Sequence, residues 1–279
     1  MNYRVIDKET YYRKGVFRHF TEDCKCSTSM TARVDVTKLV KCSKESNTKF
    51  YVNFLYILSM VLNSRDDYKM GYLWQTEELI CYDRINPTQY IFHEDTETCT
   101  PVYTSYNPDY AAFYKNAVSD IEKAKQTREY GLDMENHPNW FDASYISWLS
   151  YDSLNIELPD GFLYFLPIIN WGKYREENGR LLMPVSVRMN HAIADGYLIA
   201  NVFRLLEKEM AAFCNGKVKD EQISVNTNIF GNGSEIMERT ASSSHMLRLK
   251  KLQGFRSTIL FSNTRRNCWN MASVSERSQ

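Results

Sequence analysis

The stretch from Met183 to Tyr197 constrains the fold more than any other part of the chain. Val185, Val187 and Met189 alternate with Ser186, Arg188 and Asn190, the period of a strand with one face in a core, and the alternation stops at His191. Four residues later Asp195-Gly196 opens a helical pattern carried by Leu198, Val202, Leu205, Leu206 and Met210. An imidazole thus stands where a strand ends and a helix begins, a place where a scaffold holds a side chain still yet accessible. By itself His-x-x-x-Asp-Gly is equally a satisfied histidine beside an aspartate that caps the next helix.

The totals narrow the class. A chain of 279 residues can bury one large core of about 220 residues with an appendage, or two smaller cores. Lys plus Arg and Asp plus Glu number 34 each, so no global field recruits nucleic acid or an anionic membrane. The N-terminus Met-Asn-Tyr-Arg-Val-Ile-Asp-Lys has no apolar signal region, and no segment approaches the roughly 20 apolar residues of a membrane span. The expectation is a cytoplasmic protein. Seven cysteines, an odd number without a C-x-x-C pair or a matching His cluster, fit reduced thiols and no metal site. Cys24-Lys25-Cys26 is too tight for the usual zinc spacing and reads as structural. The 19 tyrosines suit pocket walls and subunit interfaces, or simply a tyrosine-rich core.

Along the chain, residues 3–7 read as a strand and Glu9 to Phe20 as a helix bearing Arg13. Thr28 to Val36 reads as a strand, Asp35-Val36-Thr37 as the cap of a short helix, and Phe50 to Leu62 as a core-packed helix. Lys69 to Trp74, Leu79 to Ile85 and Tyr90 to Thr98 suggest a three-stranded meander turned at Gln75-Thr76-Glu77 and Asn86-Pro87. A long helix runs from Asp109 to Arg128, followed by strand candidates Ser144 to Trp148, Asn155 to Leu158 and Leu166 to Tyr174. Asn178-Gly179 turns the chain into the strand that ends at His191, and Asn215-Gly216 stops the last helix. The pattern is that of an α/β two-layer sandwich, a large mixed and mostly antiparallel sheet with helices packed on it. Residues 1–219 form one domain, and the Ser-, Asn- and Arg-rich residues 220–279 an accessory or poorly ordered tail.

Several local patterns occur in a specific order: Tyr12-Arg13-Lys14 with Phe17 and Phe20, Val34-Asp35-Val36-Thr37, Phe50-Tyr51 with Phe54, and Phe92-His93-Glu94-Asp95-Thr96. Ser144 with Trp148, Gly172-Lys173-Tyr174, Leu182-Met183-Pro184 and His191-Ala192-Ile193-Ala194-Asp195-Gly196 follow. With these, the chain from about residue 3 to 219 resembles the chloramphenicol acetyltransferases, trimeric enzymes that move an acetyl group from acetyl-CoA to a drug hydroxyl.

Acetyl transfer from a thioester to an alcohol needs a base for the hydroxyl proton and donors for the oxyanion. An imidazole, with an ordinary pKa of about 6.5, suits the base role. The resemblance implies that His191 is that base and that no acyl-enzyme forms. It implies that Asp195 pairs with Arg13 as a buried ion pair holding the histidine loop, while Gly196 lets the backbone turn closely into the helix. Ser144 is implied as the oxyanion donor; the segment between Trp148 and Leu154 is one residue shorter than in typical members, which leaves Ser147 as the alternative. Asn170 stands where the family has a water-positioning threonine. Lys173, Tyr174 and Trp148 match residues of the CoA channel, or are an exposed turn lysine with interface aromatics. His93 reads as structural.

Acetyl-CoA would be a co-substrate, with no permanently bound cofactor, and the family's sites lie at the interfaces of a homotrimer. The segment Cys24 to Met30 is more polar than the Tyr-bearing segment usual there, so the acceptor is chloramphenicol or another small alcohol. Two other readings stand beside this one. A dihydrolipoamide acyltransferase core shares the motif but normally follows lipoyl and subunit-binding domains. A catalytically silent trimer that binds CoA or a partner would have no need of a base.

Overall fold

The computed structural model describes residues 2–131, 134, 136–158 and 162–217. The sequence-based division at residue 219 and the tail after it lie outside the described residues. Helices are α1 (Lys14–Arg18), α2 (Thr37–Glu45), α3 (Phe50–Asn63), α4 (Tyr110–Lys125) and α5 (Gly196–Lys217). Strands are β1 (Tyr3–Val5), β2 (Ser27–Asp35), β3 (Met70–Leu73), β4 (Glu78–Tyr82), β5 (Asn86–His93) and β6 (Thr98–Tyr103), then β7 (Trp140–Ile146), β8 (Ile168–Gly172), β9 (Arg175–Glu177) and β10 (Arg180–Asn190).

Among the described residues the strands form two sheets. The small one has the order β1-β4-β3, and the large one the order β2-β10-β8-β7-β5-β6 with β9 paired to β10. The large sheet is mixed: β5 and β8 both run parallel to β7, while its other pairs are antiparallel. This is the α/β sandwich expected from the pattern. Its apolar side carries Ala143, Ile169, Trp171, Val185, Val187 and Met189, all fully buried. Helix α3 sends Tyr51 and Phe54 onto Trp171, with ring centroids 5.7 and 5.1 Å away. Ten of its fourteen residues are buried, which is why its apolar positions run nearly all round rather than along one stripe.

Several expected boundaries moved. The helix expected over Glu9 to Phe20 is only α1 followed by a π-helical turn, His19–Asp23, and Arg13 sits at its N-cap rather than on it. The expected meander is broken: β3 and β4 pair in the small sheet, whereas β5 starts at Asn86-Pro87 and belongs to the large one. Pro87 sits in the second position of its strand, and its carbonyl accepts from the Thr104 N–H at 3.0 Å. Strand β6, missed in the sequence, then pairs with β5. Asn155 to Leu158 is not a strand, and α5 continues through Gly216. The Asn178-Gly179 turn is as expected, with both residues at positive φ, 52° and 75°. Asp109 caps α4, accepting from the Ala112 N–H at 2.7 Å.

Candidate active site

Strand β10 ends at Asn190, and the chain then makes one tight turn before α5. Asn190 Oδ1 accepts from the Ala192 N–H at 2.9 Å, and its carbonyl from the N–H groups of Ile193 and Ala194. The His191 N–H donates to the carbonyl of Cys26 at 3.1 Å, tying the turn to the chain just before β2. The imidazole lies flat on the Phe20 ring, centroids 3.9 Å apart and planes within 7°, with no protein hydrogen-bond partner for its buried Nδ1. Backbone and ring are therefore both fixed from neighbouring elements.

Asp195 does two jobs at the start of α5. Its Oδ1 accepts from the N–H groups of Tyr197 and Leu198 at 3.1 and 3.3 Å, an N-cap, while its Oδ2 accepts from Arg13 Nη1 and Nη2, both at 3.2 Å. Partial burial pushes this carboxyl up, but the Leu198 N–H and the Arg13 guanidinium outweigh it and hold its pKa below the ordinary value. The pair expected to be buried is buried on one side only: the Arg13 side chain is 10% exposed and that of Asp195 41%. Gly196 needs no special backbone, since it is not at positive φ and an added Cβ would meet only the flexible Met30 methyl at 3.1 Å.

Ser144 lies in the large sheet, directly opposite Asn170 of β8, which lies opposite Ser186 of β10, which lies opposite Thr31 of β2. These four residues form one polar row across the sheet on the side away from Trp171. Residues 150–158 and 162–164 lie over this side. Tyr151 Oη donates to the Asn170 carbonyl at 2.9 Å, the Leu154 N–H reaches Thr31 Oγ1 at 3.4 Å, and Tyr164 Oη donates to Asp142 at 3.3 Å. Ser147, the alternative oxyanion donor, lies beyond the end of β7 and is exposed.

Within one chain the structure does not bring Ser144 to His191. The histidine is five residues beyond Ser186 and two strands across from Ser144, or about 17 Å along the strand and about 10 Å across. Lys173 is exposed on the turn after β8, with its N–H on the Leu149 carbonyl at 2.9 Å. Tyr174 packs edge-on against Phe50 with centroids 5.7 Å apart. Trp148 is exposed and meets Phe92 edge-on at 4.6 Å. These three flank the β7 and β8 end of the sheet. His93 is buried with Nε2 2.8 Å from Thr100 Oγ1, the structural role expected of it.

Residues 1–207 match the family model described as chloramphenicol acetyltransferase. The chain belongs to the chloramphenicol acetyltransferase family. Chloramphenicol acetyltransferase 3 of Escherichia coli is 32% identical over 222 residues, covering 78% of this chain and all of the relative. A Clostridium perfringens chloramphenicol acetyltransferase is 33% identical over 214 residues, covering 75% and 98%. A solved chloramphenicol acetyltransferase structure superposes with a TM-score of 0.70 at 20% identity, over 75% of this chain and 100% of that one. The dihydrolipoamide acetyltransferase of Azotobacter vinelandii shares the fold at a TM-score of 0.54 and 13% identity, over 69% and 84%. As a member of this acyltransferase family, the chain carries the motif His191 to Gly196 on the same strand-to-helix turn that its sequence marks out.

Sequence reading missed two groups on the polar side of the sheet. Asp142, two residues before Ser144, has its carboxylate on the hydroxyls of Tyr90 and Tyr164, and burial raises its pKa above the ordinary value. Arg188, two residues after Ser186, is only 7% exposed. The strand's alternation assigns both to a solvent face. Only knowledge that residues 150–158 and 162–164 cover that face would mark them. Among the described residues no helix is long and apolar enough to cross a membrane.

Proposed function

We propose that this protein is a cytoplasmic O-acetyltransferase that moves the acetyl group of acetyl-CoA to a hydroxyl of chloramphenicol, and so confers resistance to that antibiotic. The observation that carries the proposal is His191, held by the Asn190 turn, the Cys26 carbonyl and the Phe20 ring at the mouth of a strand. His191 takes the hydroxyl proton as that oxygen attacks the thioester carbonyl. The tetrahedral oxyanion accepts a hydrogen bond from the Ser144 hydroxyl, with Asn170 holding a water beside it. Collapse breaks the carbon–sulfur bond, and the CoA thiolate leaves with the proton returned by the imidazolium. Arg13 and Asp195 keep the turn in place, and Lys173, Tyr174 and Trp148 line the path of CoA.

Because Ser144 and His191 of one chain are about 20 Å apart by strand geometry, the working site pairs His191 of one subunit with Ser144 of another. A homotrimer then holds three sites at its interfaces.

The test is release of free CoA, followed with a thiol reagent, from acetyl-CoA and chloramphenicol. Release should depend on the drug and fall about 10²- to 10⁴-fold in His191→Ala. Subunits carrying His191→Ala, mixed and refolded with subunits carrying Ser144→Ala, should recover part of the activity neither homomer has. A His191→Ala protein that keeps most of its turnover overturns the mechanism, and mixed subunits that stay inactive overturn the shared site.

A further inference from the structure

Asp142 is an acid beside Ser144 that the mechanism above leaves unused. It sits on β7 two residues before the serine, on the same face of the sheet and about 7 Å away along the strand. Each of its oxygens accepts from one tyrosine, Oδ1 from Tyr90 of the neighbouring β5 and Oδ2 from Tyr164. No salt bridge among the described residues includes it. A carboxyl oxygen offers two accepting sites, so the two tyrosines fix the group without filling it. Asp142, Ser144, Tyr90 and Tyr164 are all partly exposed, which leaves them open to a molecule lying on this face.

The direction from which each substrate reaches Ser144 decides what meets this carboxyl. Lys173, Tyr174 and Trp148 stand beyond the ends of β8 and β7, so acetyl-CoA comes to Ser144 from that end, past Ile146. Over β8, Tyr151 sits on the Asn170 carbonyl and closes that way. In the shared site the reacting hydroxyl lies between Ser144 and the partner subunit's His191. The body of the acceptor therefore extends from Ser144 away from CoA, and the next side chain on that face of β7 is Asp142.

We infer that Asp142 is a specificity-determining residue of the acceptor site, its carboxyl accepting from a second hydroxyl of the acceptor on the subunit that supplies Ser144. The inference rests on the acetyl-transfer reading with its shared site and deepens it. The acceptor class is a small 1,3-diol, one hydroxyl reacting and the other held by Asp142. Three carbons with a hydrogen bond at each end bridge the about 7 Å between the two strand positions. Protonated or ionised, the carboxyl keeps an oxygen that can accept, and Tyr90 and Tyr164 hold it in one orientation.

The test uses full-length protein with chloramphenicol and its 1-deoxy analogue, which lacks only the second hydroxyl. CoA release in the wild type should give a kcat/KM at least about tenfold higher for the diol, carried mainly by KM. In Asp142→Leu the two acceptors should fall within about twofold of each other. Asp142→Asn, which keeps an accepting oxygen, should retain part of the preference, and it serves if the leucine variant melts early. A general structural role would lower both acceptors together and leave their ratio unchanged. Mixed subunits place the residue on one chain. Asp142→Leu should abolish the preference when built into the His191→Ala subunits, which supply Ser144, and leave it intact in the Ser144→Ala subunits, which supply His191. A preference that follows the other chain, or a ratio equal in wild type and variants, overturns the inference. Absence of release with both acceptors in the wild type overturns the acetyl-transfer reading instead.

Discussion

On β10, Val185, Val187 and Met189 are buried as deeply as Ser186, Arg188 and Asn190 on the opposite face, yet the two faces hold what they bury in different ways. The apolar face is filled by α3 and α5 and is stabilised by area removed from water. The polar face is covered by residues 150–158 and 162–164, which supply Tyr151 to the Asn170 carbonyl and Tyr164 to Asp142, while Thr31 and Ser186 are hydrogen-bonded at 2.7 Å within the sheet. Buried polar atoms without a partner occur on both sides, Trp171 Nε1 and Tyr51 Oη on the helix side and Arg188 Nη1 and Thr88 Oγ1 on the other, so what separates the faces is that one is held by packed apolar area and the other mainly by hydrogen bonds.

If that division is right, two neighbours on β8 must respond in opposite ways. Ile169, fully buried on the helix side, should cost about 2–5 kcal/mol when changed to Ala, with turnover per folded molecule unchanged. Asn170→Ala, one residue on, should cost about 1 kcal/mol of stability and lower kcat instead. Thermal unfolding and CoA release on both variants decide it. A turnover loss in Ile169→Ala equal to that in Asn170→Ala would erase the distinction between the faces.

Asp195 stands where the two regimes meet, and its effect should be intermediate. Asp195→Ala removes an N-cap and leaves the nearly buried Arg13 without its partner, a loss of about 2 kcal/mol once the exposure of the aspartate is discounted. The carboxyl's folded pKa is depressed, so its contribution is complete above the unfolded carboxylate value of about 3.9 and is lost as pH falls through the lower folded value. The gap between wild type and variant should hold steady from pH 5 to 8 and close only in acid. A gap that widens in acid would contradict the pairing.

How much of this was legible in the sequence follows the same division. Val185 to Met189, the α5 stripe and the turn at Asn178-Gly179 were readable because apolar period and positive-φ chemistry are local signals. His191, Asp195 and Arg13 were readable only as an ordered set of short patterns. The meander was misread because a strand's local pattern does not say which sheet it joins; β4 and β5 have similar patterns and lie in different sheets. Arg188 and Asp142 were not legible at all, since a polar residue alternating with apolar ones signals solvent unless another segment covers it. The covering segment itself reads as a strand over Asn155 to Leu158 and is irregular backbone spent on side-chain contacts.

The smallest effect tests the polar face most directly. Asp142 is a carboxyl between two tyrosine hydroxyls, and burial raises its folded pKa even though Tyr90 and Tyr164 donate to it. A carboxyl with a raised folded pKa has the opposite sign from Asp195: the folded state holds its proton more tightly, so its contribution is fully present at low pH and is lost as pH rises through the folded value. Asp142→Asn replaces the charge with a neutral amide of the same shape that still offers one acceptor. The variant should match the wild type in acid and become more stable than it by on the order of 1 kcal/mol as pH rises, the scale of one exchanged hydrogen bond. Melting temperatures of the two proteins across pH 5 to 8.5 measure this. A wild type that gains on the variant with rising pH would mean that the ionised carboxylate is the form the tyrosines were placed to hold, and that the polar face is built around a negative charge rather than around neutral donors and one buried arginine.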